Sequence, residues 1–157
     1  MSAGKCRLHL TARVSTYRRW ARELVKPGDT VIELGASTGK TTVVLACRAA
    51  RVLAVEHSPS LAADTRERLA AYPHVTIITG DAFEAGPVLA LIKRADAVFI
   101  DIGGSAGPWQ TMDLAHRYLH LFRPRVLVLR NTKLNSFVAS LDSYEPDATG
   151  HYWAAKN

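Results

Sequence analysis

The chain is poor in cysteine, in acidic residues and in long apolar runs. Its two cysteines, Cys6 and Cys47, lie far apart and have no partners at metal-ligand spacing. Neither a disulfide framework nor a zinc site is therefore indicated. No apolar stretch is long enough to cross a membrane, and the first residues lack the apolar run of a signal peptide. These absences predict a cytoplasmic protein without a bound metal or a membrane partner.

The length and composition are those of a single folding unit. The chain has 157 residues, of which 48% are hydrophobic, and this is enough to bury one substantial core. It contains no internal repeat, no low-complexity tract and no linker. We therefore expect one domain over residues 1–157. The sequence is compatible with a homodimer but does not fix the oligomeric state.

The basic residues are concentrated in two segments. The formal net charge is +6, and residues 1–26 contain Glu23 as their single acid against Lys5, Arg7, Arg13, Arg18, Arg19, Arg22 and Lys26. A second run, from Arg117 to Lys133, contains no acidic residue. Such segments attract anions, which makes RNA a candidate partner of the basic N-terminal segment. The other interpretation is that these long side chains only solvate an amphipathic helix and a sheet edge.

Apolar runs alternate with helical segments, which is typical of β-α units around a parallel sheet. Five buried strands are predicted at residues 30–34, 51–56, 75–79, 97–101 and 125–129. Helices are predicted at residues 15–25, 40–49, 59–71, 86–93, 109–121 and 134–141. The expected fold class is α/β, a three-layer, Rossmann-like, doubly wound and mostly parallel sheet in the order 3-2-1-4-5. Its C-terminal end is short, and residues 151–154 are a candidate for one further edge strand.

A glycine loop follows the first predicted strand, in the sequence ELGASTG at residues 33–39. Paired glycines let the backbone turn tightly and approach a ligand closely before a helix begins. A dinucleotide-binding GxGxxG motif requires glycine at two positions that are Ser37 and Lys40 here. A P-loop requires four residues before its Gly-Lys-Thr, whereas Gly35 and Gly39 enclose three. The loop therefore indicates another kind of cofactor site, and a nucleotide triphosphatase is the less favoured alternative.

This ExGxxxG pattern resembles motif I of the class I S-adenosylmethionine-dependent methyltransferases, and the similarity continues strand by strand to about residue 130. The ends of the next three strands agree with it, since they carry Glu56, Asp81 and Asp101. The resemblance implies S-adenosylmethionine and S-adenosylhomocysteine as ligands. The residues that it assigns to the cofactor are Glu33, Gly35, Ala36, Ser37, Gly39, Glu56, His57, Asp81, Ala82 and Asp101.

Most of these residues have a distinct role in the resemblance. Glu33 would contact the cofactor amino group, and Glu56 the ribose hydroxyls, with His57 beside the adenine. Asp81 would receive the adenine amino group, while the backbone amide of Ala82 meets the ring. A single acid at a strand end more commonly caps the next helix. Four acids at four successive strand ends, together with the glycine loop, favour the methyltransferase interpretation.

Residues 31–84 are similar to the ribosomal RNA adenine dimethyltransferases, but the next motif departs from them. Those enzymes follow strand four with an Asn-Leu-Pro-Tyr-like motif that holds a flipped adenine, and here residues 101–105 read DIGGS. Methylation of the exocyclic adenine amine is therefore not expected. The superfamily sheet normally ends in an antiparallel hairpin after strand five. This short chain predicts either a single strand in its place or a loss of part of the substrate side.

Methyl transfer is an in-line displacement in which alignment supplies much of the catalysis. Asp101, near the methionine part of the cofactor, is the best placed residue to orient the acceptor or to receive its proton. Asn131 and Lys133, beyond strand five, are the further catalytic candidates. The acceptor, an RNA or a small molecule, is not fixed by the sequence. The alternative function is a catalytically silent domain of the same fold that senses the cofactor or binds RNA.

Overall fold

The part of the chain that the structure describes consists of a six-stranded sheet with helices on both faces. The computed structural model describes residues 5–103 and 106–141. The strands are β1 (Arg7–Thr11), β2 (Thr30–Leu34), β3 (Arg51–Glu56), β4 (Val75–Thr79), β5 (Ala97–Ile100) and β6 (Val126–Arg130). The helices are α1 (Val14–Leu24), α2 (Lys40–Ala46), α3 (Pro59–Arg68), α4 (Gly86–Leu91), α5 (Pro108–Phe122) and α6 (Thr132–Ala139). None of these helices combines the length and the apolar character that crossing a lipid bilayer requires.

The strand order is β1-β6-β5-β2-β3-β4, and every neighbouring pair is parallel. The α/β, doubly wound prediction is confirmed, since the five predicted strands are β2 to β6 and lie in the predicted order. The first three have the predicted bounds, and the last is shifted by one residue. Such strands can be located from sequence because helices cover both of their faces, which makes each strand a continuous apolar run. The candidate edge strand at residues 151–154 lies outside the described residues.

The strand that the sequence analysis missed is β1, with the sequence RLHLT. It runs parallel to β6, with Arg7 opposite Val126 and Thr11 opposite Arg130. The outer neighbour of β6 therefore comes from the N-terminal segment. The alternation of polar and apolar residues in this segment favours a strand, but it covers only five residues. Pairing with β6 stabilises the segment as a strand.

Each face of the sheet carries its own apolar core. On one face, α1 buries Tyr17 and Ala21 against the sheet. On the other face, α5 buries Leu114, Tyr118 and Phe122, which are spaced one helical turn apart. Full burial of one such large side chain stabilises the fold by about 2–3 kcal/mol. Two cores on a shared sheet hold the strand ends that carry the polar residues in fixed positions.

A buried acid joins the end of α1 to the start of β6. Asp29 is 5% exposed and accepts a hydrogen bond from the Lys26 amide at 2.8 Å. It also forms an ion pair with Arg125, whose guanidinium donates to the Leu24 carbonyl at 3.0 Å. Asp29 therefore closes the turn between α1 and β2 and fixes the chain where β6 begins.

We expect Asp29→Ala to lower the free energy of unfolding by about 2 kcal/mol, because the Lys26 amide and the Arg125 guanidinium both lose their acceptor. Urea unfolding at neutral pH measures this change. Asp113→Ala is the matched control, since the pair of Asp113 with Arg117 is about half exposed (45% and 50%). Its loss should change stability by less than about 0.5 kcal/mol. Equal effects of the two substitutions would contradict the role assigned to Asp29.

Candidate functional site

A cleft of about 510 Å³ lies at the carboxyl ends of β2, β3, β4 and β5. Doubly wound sheets bind ligands at this edge, where the strand order reverses, and here it reverses between β2 and β5. The volume lies in the range of small-molecule sites. A second cavity of about 230 Å³ adjoins the cleft and includes Glu33 and Ala36. The other predicted cofactor residues that line the cleft are Gly35, Ser37, Glu56, His57, Asp81, Ala82 and Asp101.

The loop between β2 and α2 has a backbone that few residues adopt. The φ angle is +88° at Gly35, +51° at Ser37 and +75° at Gly39. A side chain at Gly35 would overlap the backbone carbonyl of Asp101, so the left-handed φ and the close approach of β5 both require glycine. The Ser37 amide donates to Glu56 at 2.7 Å, which helps to hold Ser37 in its unusual conformation. Gly39 lines neither cavity and instead precedes the first turn of α2.

Helix α3 holds the same loop from the outside. The buried Thr65 hydroxyl lies 2.6 Å from the Ser37 carbonyl oxygen and 2.8 Å from that of Leu61. The Arg68 side chain donates to the Thr38 carbonyl at 2.7 Å. The sequence analysis missed Thr65 and Arg68, because only the packing of α3 shows which of its faces meets the loop. These contacts hold the loop by groups of the protein itself.

Glu56 lies at the back of the cleft and is 7% exposed. One carboxylate oxygen accepts the Ser37 amide at 2.7 Å, and the other accepts the Ser58 amide at 2.9 Å. Since a carboxylate oxygen can accept two hydrogen bonds, each oxygen retains one position for a further donor. Two neighbouring hydroxyls, as on a ribose, match this arrangement. His57 follows at the rim, where it is exposed.

The segment after β4 contributes Asp81 and Ala82 to the lining of the cleft. Asp81 is exposed, and one of its oxygens accepts the Phe83 amide at 2.9 Å. The Ala82 carbonyl accepts the Tyr118 hydroxyl at 2.9 Å. Burial, with a smaller effect of the Asp81 charge, raises the pKa of Tyr118 to about 12, so this hydroxyl remains a donor at neutral pH. Helix α5 therefore fixes the backbone on which Asp81 stands.

Glu33 is 1% exposed and accepts the Thr42 hydroxyl at 2.6 Å. Burial is the main cause that raises the pKa of Glu33 to about 8. The Asp101 and Glu56 charges act in the same direction, while Thr42 and Arg18 oppose them. Glu33 is therefore largely protonated at neutral pH. A cation in the adjoining cavity would stabilise its charged form.

Asp101 and Arg130 form an ion pair where the two cavities meet. The Arg130 Nε donates to Asp101 Oδ2 at 2.6 Å, and the side chains are 21% and 20% exposed. This hydrogen bond is the main cause that raises the pKa of Arg130. Among the described residues, Asp101 Oδ1 has no hydrogen-bond partner. The sequence analysis did not assign Arg130 to the site, although its place at the end of β6, two strands from β2, was a usable signal.

The two other predicted catalytic residues lie beside the cleft and do not line it. Asn131 is buried, and its side-chain oxygen accepts the Leu134 amide at 2.9 Å at the start of α6. Its side-chain nitrogen donates to Thr111 at 2.9 Å, which links α6 to α5. Lys133 is exposed and lines a small neighbouring cavity with Arg130. Over residues 5–103 and 106–141, no group of three or more His, Cys, Asp or Glu side chains is placed to hold a metal ion.

A comparison with protein families identifies the family of the chain. A sequence model of the FtsJ-like methyltransferase family matches residues 15–142, which include the glycine loop and β2 to β6. The chain belongs to the FtsJ-like methyltransferase family. This membership confirms the predicted superfamily, the class I S-adenosylmethionine-dependent methyltransferases, and with it the predicted cofactor.

Individual proteins that are similar to this chain have different names and are longer. A probable dimethyladenosine transferase from Dictyostelium discoideum is 32% identical over 115 residues, which cover 68% of this chain and 33% of the relative. A protein-L-isoaspartate O-methyltransferase from Methylorubrum populi is 38% identical over 85 residues, with coverages of 54% and 39%. Fibrillarin from Aeropyrum pernix, whose crystal structure contains natively bound S-adenosylmethionine, is 25% identical with a TM-score of 0.56 and coverages of 68% and 50%. The chain thus spans between 33% and 39% of these two curated relatives.

We expect Gly35→Ala to lower the free energy of unfolding by about 2–4 kcal/mol, because the added methyl group meets the Asp101 carbonyl and the backbone is left-handed. Urea unfolding measures the change. Gly28→Ala, in the exposed turn before β2, is the control, since nothing lies within 4 Å of its added carbon and its φ is not left-handed. Alanine there should be neutral or should stabilise by up to about 1 kcal/mol. Two equally small effects would contradict the close approach of β5 to the loop.

The raised pKa of Glu33 predicts a specific pH dependence of stability. The folded chain holds this proton up to about pH 8, whereas the ordinary pKa of the group is 4.5, so its contribution to stability falls as the pH rises between these values. Glu33→Gln does not ionise and should gain stability relative to the original chain between pH 5 and pH 8. Urea unfolding at both pH values measures the difference. The exposed Glu67→Gln is the control, and a pH-independent effect of Glu33→Gln would refute the assignment.

Proposed function

We propose that this chain is an S-adenosylmethionine-dependent methyltransferase whose acceptor is an RNA. The observation that carries the proposal is the cleft in which the glycine loop, Glu56 and Asp81 converge at the switch point of the sheet. Family membership supports the reaction class. Several relatives named as ribosomal RNA or dimethyladenosine methyltransferases support the acceptor class.

The polar groups of the cleft fit S-adenosylmethionine. Glu56 offers two oxygens to the ribose hydroxyls, and Asp81 has one oxygen without a partner among the described residues for the adenine amino group. Glu33 would receive the cationic amino group, which favours the charged form of this acid. When bound, this cofactor supplies an electrophilic methyl group on a sulfonium centre.

Asp101 is the residue that we propose to act on the acceptor. Its Oδ1 would orient an acceptor hydroxyl or amine and accept its proton as the nucleophile attacks. Arg130 balances the Asp101 charge in a half-buried position. Asn131 is a positioning residue. Its side chain caps α6 and donates to Thr111 of α5, and these two hydrogen bonds hold the end of β6 that carries Arg130. Lys133, exposed beside them, would contact the acceptor and not the reacting atoms.

Charge and exposed apolar surface at the mouth favour RNA over a neutral metabolite. Arg18, Lys40 and Arg130 line the cavity beside Glu33, and Lys133 lies next to it. Cations in this arrangement attract phosphate groups. Trp109, in the first turn of α5, is 77% exposed and directly precedes Gln110, which lines the cleft. An unpaired base can stack on such a side chain.

We also propose that the chain is a single domain. The support is that β1, from the N-terminal segment, and β6, from the far end of the described chain, are neighbours in one sheet. Both cores use strands of that sheet.

Calorimetric titration with S-adenosylmethionine and S-adenosylhomocysteine tests the cofactor assignment. We expect dissociation constants in the micromolar range, equivalent to about −8 kcal/mol. Glu56→Gln should weaken binding at least about tenfold, because one acceptor oxygen becomes a donor. Glu67→Gln, exposed on α3, is the control and should bind like the original chain. Failure of the original chain to bind either compound would overturn the proposal.

The same preparation then tests turnover, by transfer of a radiolabelled methyl group from the cofactor to total RNA. Asp101→Asn should slow transfer by about 100-fold or more while cofactor affinity stays within about threefold. Cofactor binding without transfer to any RNA would overturn the RNA acceptor and leave a small-molecule acceptor or the catalytically silent domain.

A further inference from the structure

Another large cavity lies at the amino ends of the strands, whereas the cofactor cleft lies at their carboxyl ends. It has a volume of about 710 Å³ and is formed where β2, β5 and β6 begin, by Thr30, the residues before β5 and the residues before β6. None of the residues that line it lines the cofactor cleft. The cavity is therefore a separate feature, and the chemistry described above does not use it.

Cationic side chains dominate this amino-end cavity. Lys5, Arg94 and Arg123 line it, and all three are exposed. Among the described residues, none of the three takes part in an ion pair. His120, on the last turn of α5, lines the same cavity and adds a further donor.

The acids near the cavity do not cancel these charges. Asp96 is the acid that lines it, and one of its oxygens accepts the Thr30 amide at 2.8 Å. Arg125 also lines the cavity, but its charge is balanced by Asp29. Three uncompensated cations thus face one carboxylate, and the cavity has a net positive charge.

The pairing of β1 with β6 explains why cations collect there. The two basic segments of the sequence lie side by side in parallel, so each contributes to both ends of the sheet. Lys5 and Arg123 lie at the amino end, whereas Arg130 and Lys133 lie at the carboxyl end beside the cofactor cleft. A five-residue strand spans about 16 Å. An RNA strand that contacts both ends of the sheet must bridge at least this distance, which takes several nucleotides.

We propose that the amino-end cavity binds the phosphodiester backbone of the RNA, several nucleotides away from the nucleotide that enters the cofactor cleft. The inference rests on the RNA acceptor of the proposed function. Arg94 and Arg123 present guanidinium groups, which bind two phosphate oxygens at once, and Lys5 adds a point charge. Contacts of this kind position a strand without reading its bases. The cavity therefore sets where the RNA lies, while the cleft selects the atom that is methylated.

The test is the salt dependence of RNA binding, measured by fluorescence anisotropy with a labelled single-stranded RNA of about 12 nucleotides. The double substitution Arg94→Gln with Arg123→Gln should weaken binding about tenfold and reduce the slope of log affinity against log salt by about 1.4, for two lost contacts. Arg48→Gln with Arg66→Gln is the matched control. These exposed arginines lie outside both basic segments and line neither the amino-end cavity nor the cofactor cleft, and their loss removes the same charge. The control should change binding by less than about twofold.

Cofactor titration separates this inference from the proposed function. The cavity variant should bind S-adenosylmethionine like the original chain, which also shows that it is folded. Equal effects of the two double substitutions on RNA binding would overturn the cavity assignment and leave the cofactor assignment intact. Competition by polyglutamate as effective as competition by unlabelled RNA would overturn it as well. Loss of RNA binding in the cavity variant, in a chain that binds no cofactor, would overturn the proposed function and keep the cavity as an RNA site.

Discussion

The candidate site depends on one close approach, between the loop after β2 and the end of β5. Gly35 lies so near the Asp101 carbonyl that no side chain fits between them. The two strands are neighbours because the winding of the sheet reverses there, so the loop and Asp101 border the same opening. This approach brings the glycine loop and Asp101 to one edge, beside Arg130 of the next strand.

The loop is held from several sides, and this has a consequence for ligand binding. Glu56 accepts the Ser37 amide, and Thr65 contacts the Ser37 carbonyl, so a serine with a positive φ is fixed by its neighbours. The carboxylate that anchors the loop also lines the cleft. The Glu56 carboxylate therefore has two roles: it holds the loop through the Ser37 amide, and it is available to contact a ligand in the cleft. A preformed site of this kind binds with little reorganisation.

The central strands and the glycine loop could be predicted because their patterns are local. A strand covered on both faces must be apolar throughout, and the loop spacing alone separates its class from the P-loop. The β1 strand was missed because its alternating pattern covers only five residues and its partner strand lies more than one hundred residues away. The contact of Arg130 with Asp101 likewise depends on strand order. Asn131 shows a signal that was present in the sequence, because an asparagine directly before a helix commonly caps it.

The acids of the site differ in how well their charges are compensated, and this difference indicates what each can bind. Glu56 accepts two backbone amides, and Asp101 is paired with Arg130, whereas Glu33 accepts only the Thr42 hydroxyl from the described residues. Burying an acid with so little compensation lowers stability at neutral pH, and a glutamine of the same shape would avoid this loss.

An acid in such a position is useful when a cation binds beside it. The cavity next to Glu33 therefore favours an ammonium group close to the acid, with Arg18 and Lys40 at its outer wall. A phosphate would be repelled by a charged Glu33 and attracted by these two bases. The electrostatics thus separate a cationic position in the interior from an anionic position at the mouth. This separation fits the sulfonium cofactor, with its amino group, and the proposed RNA acceptor.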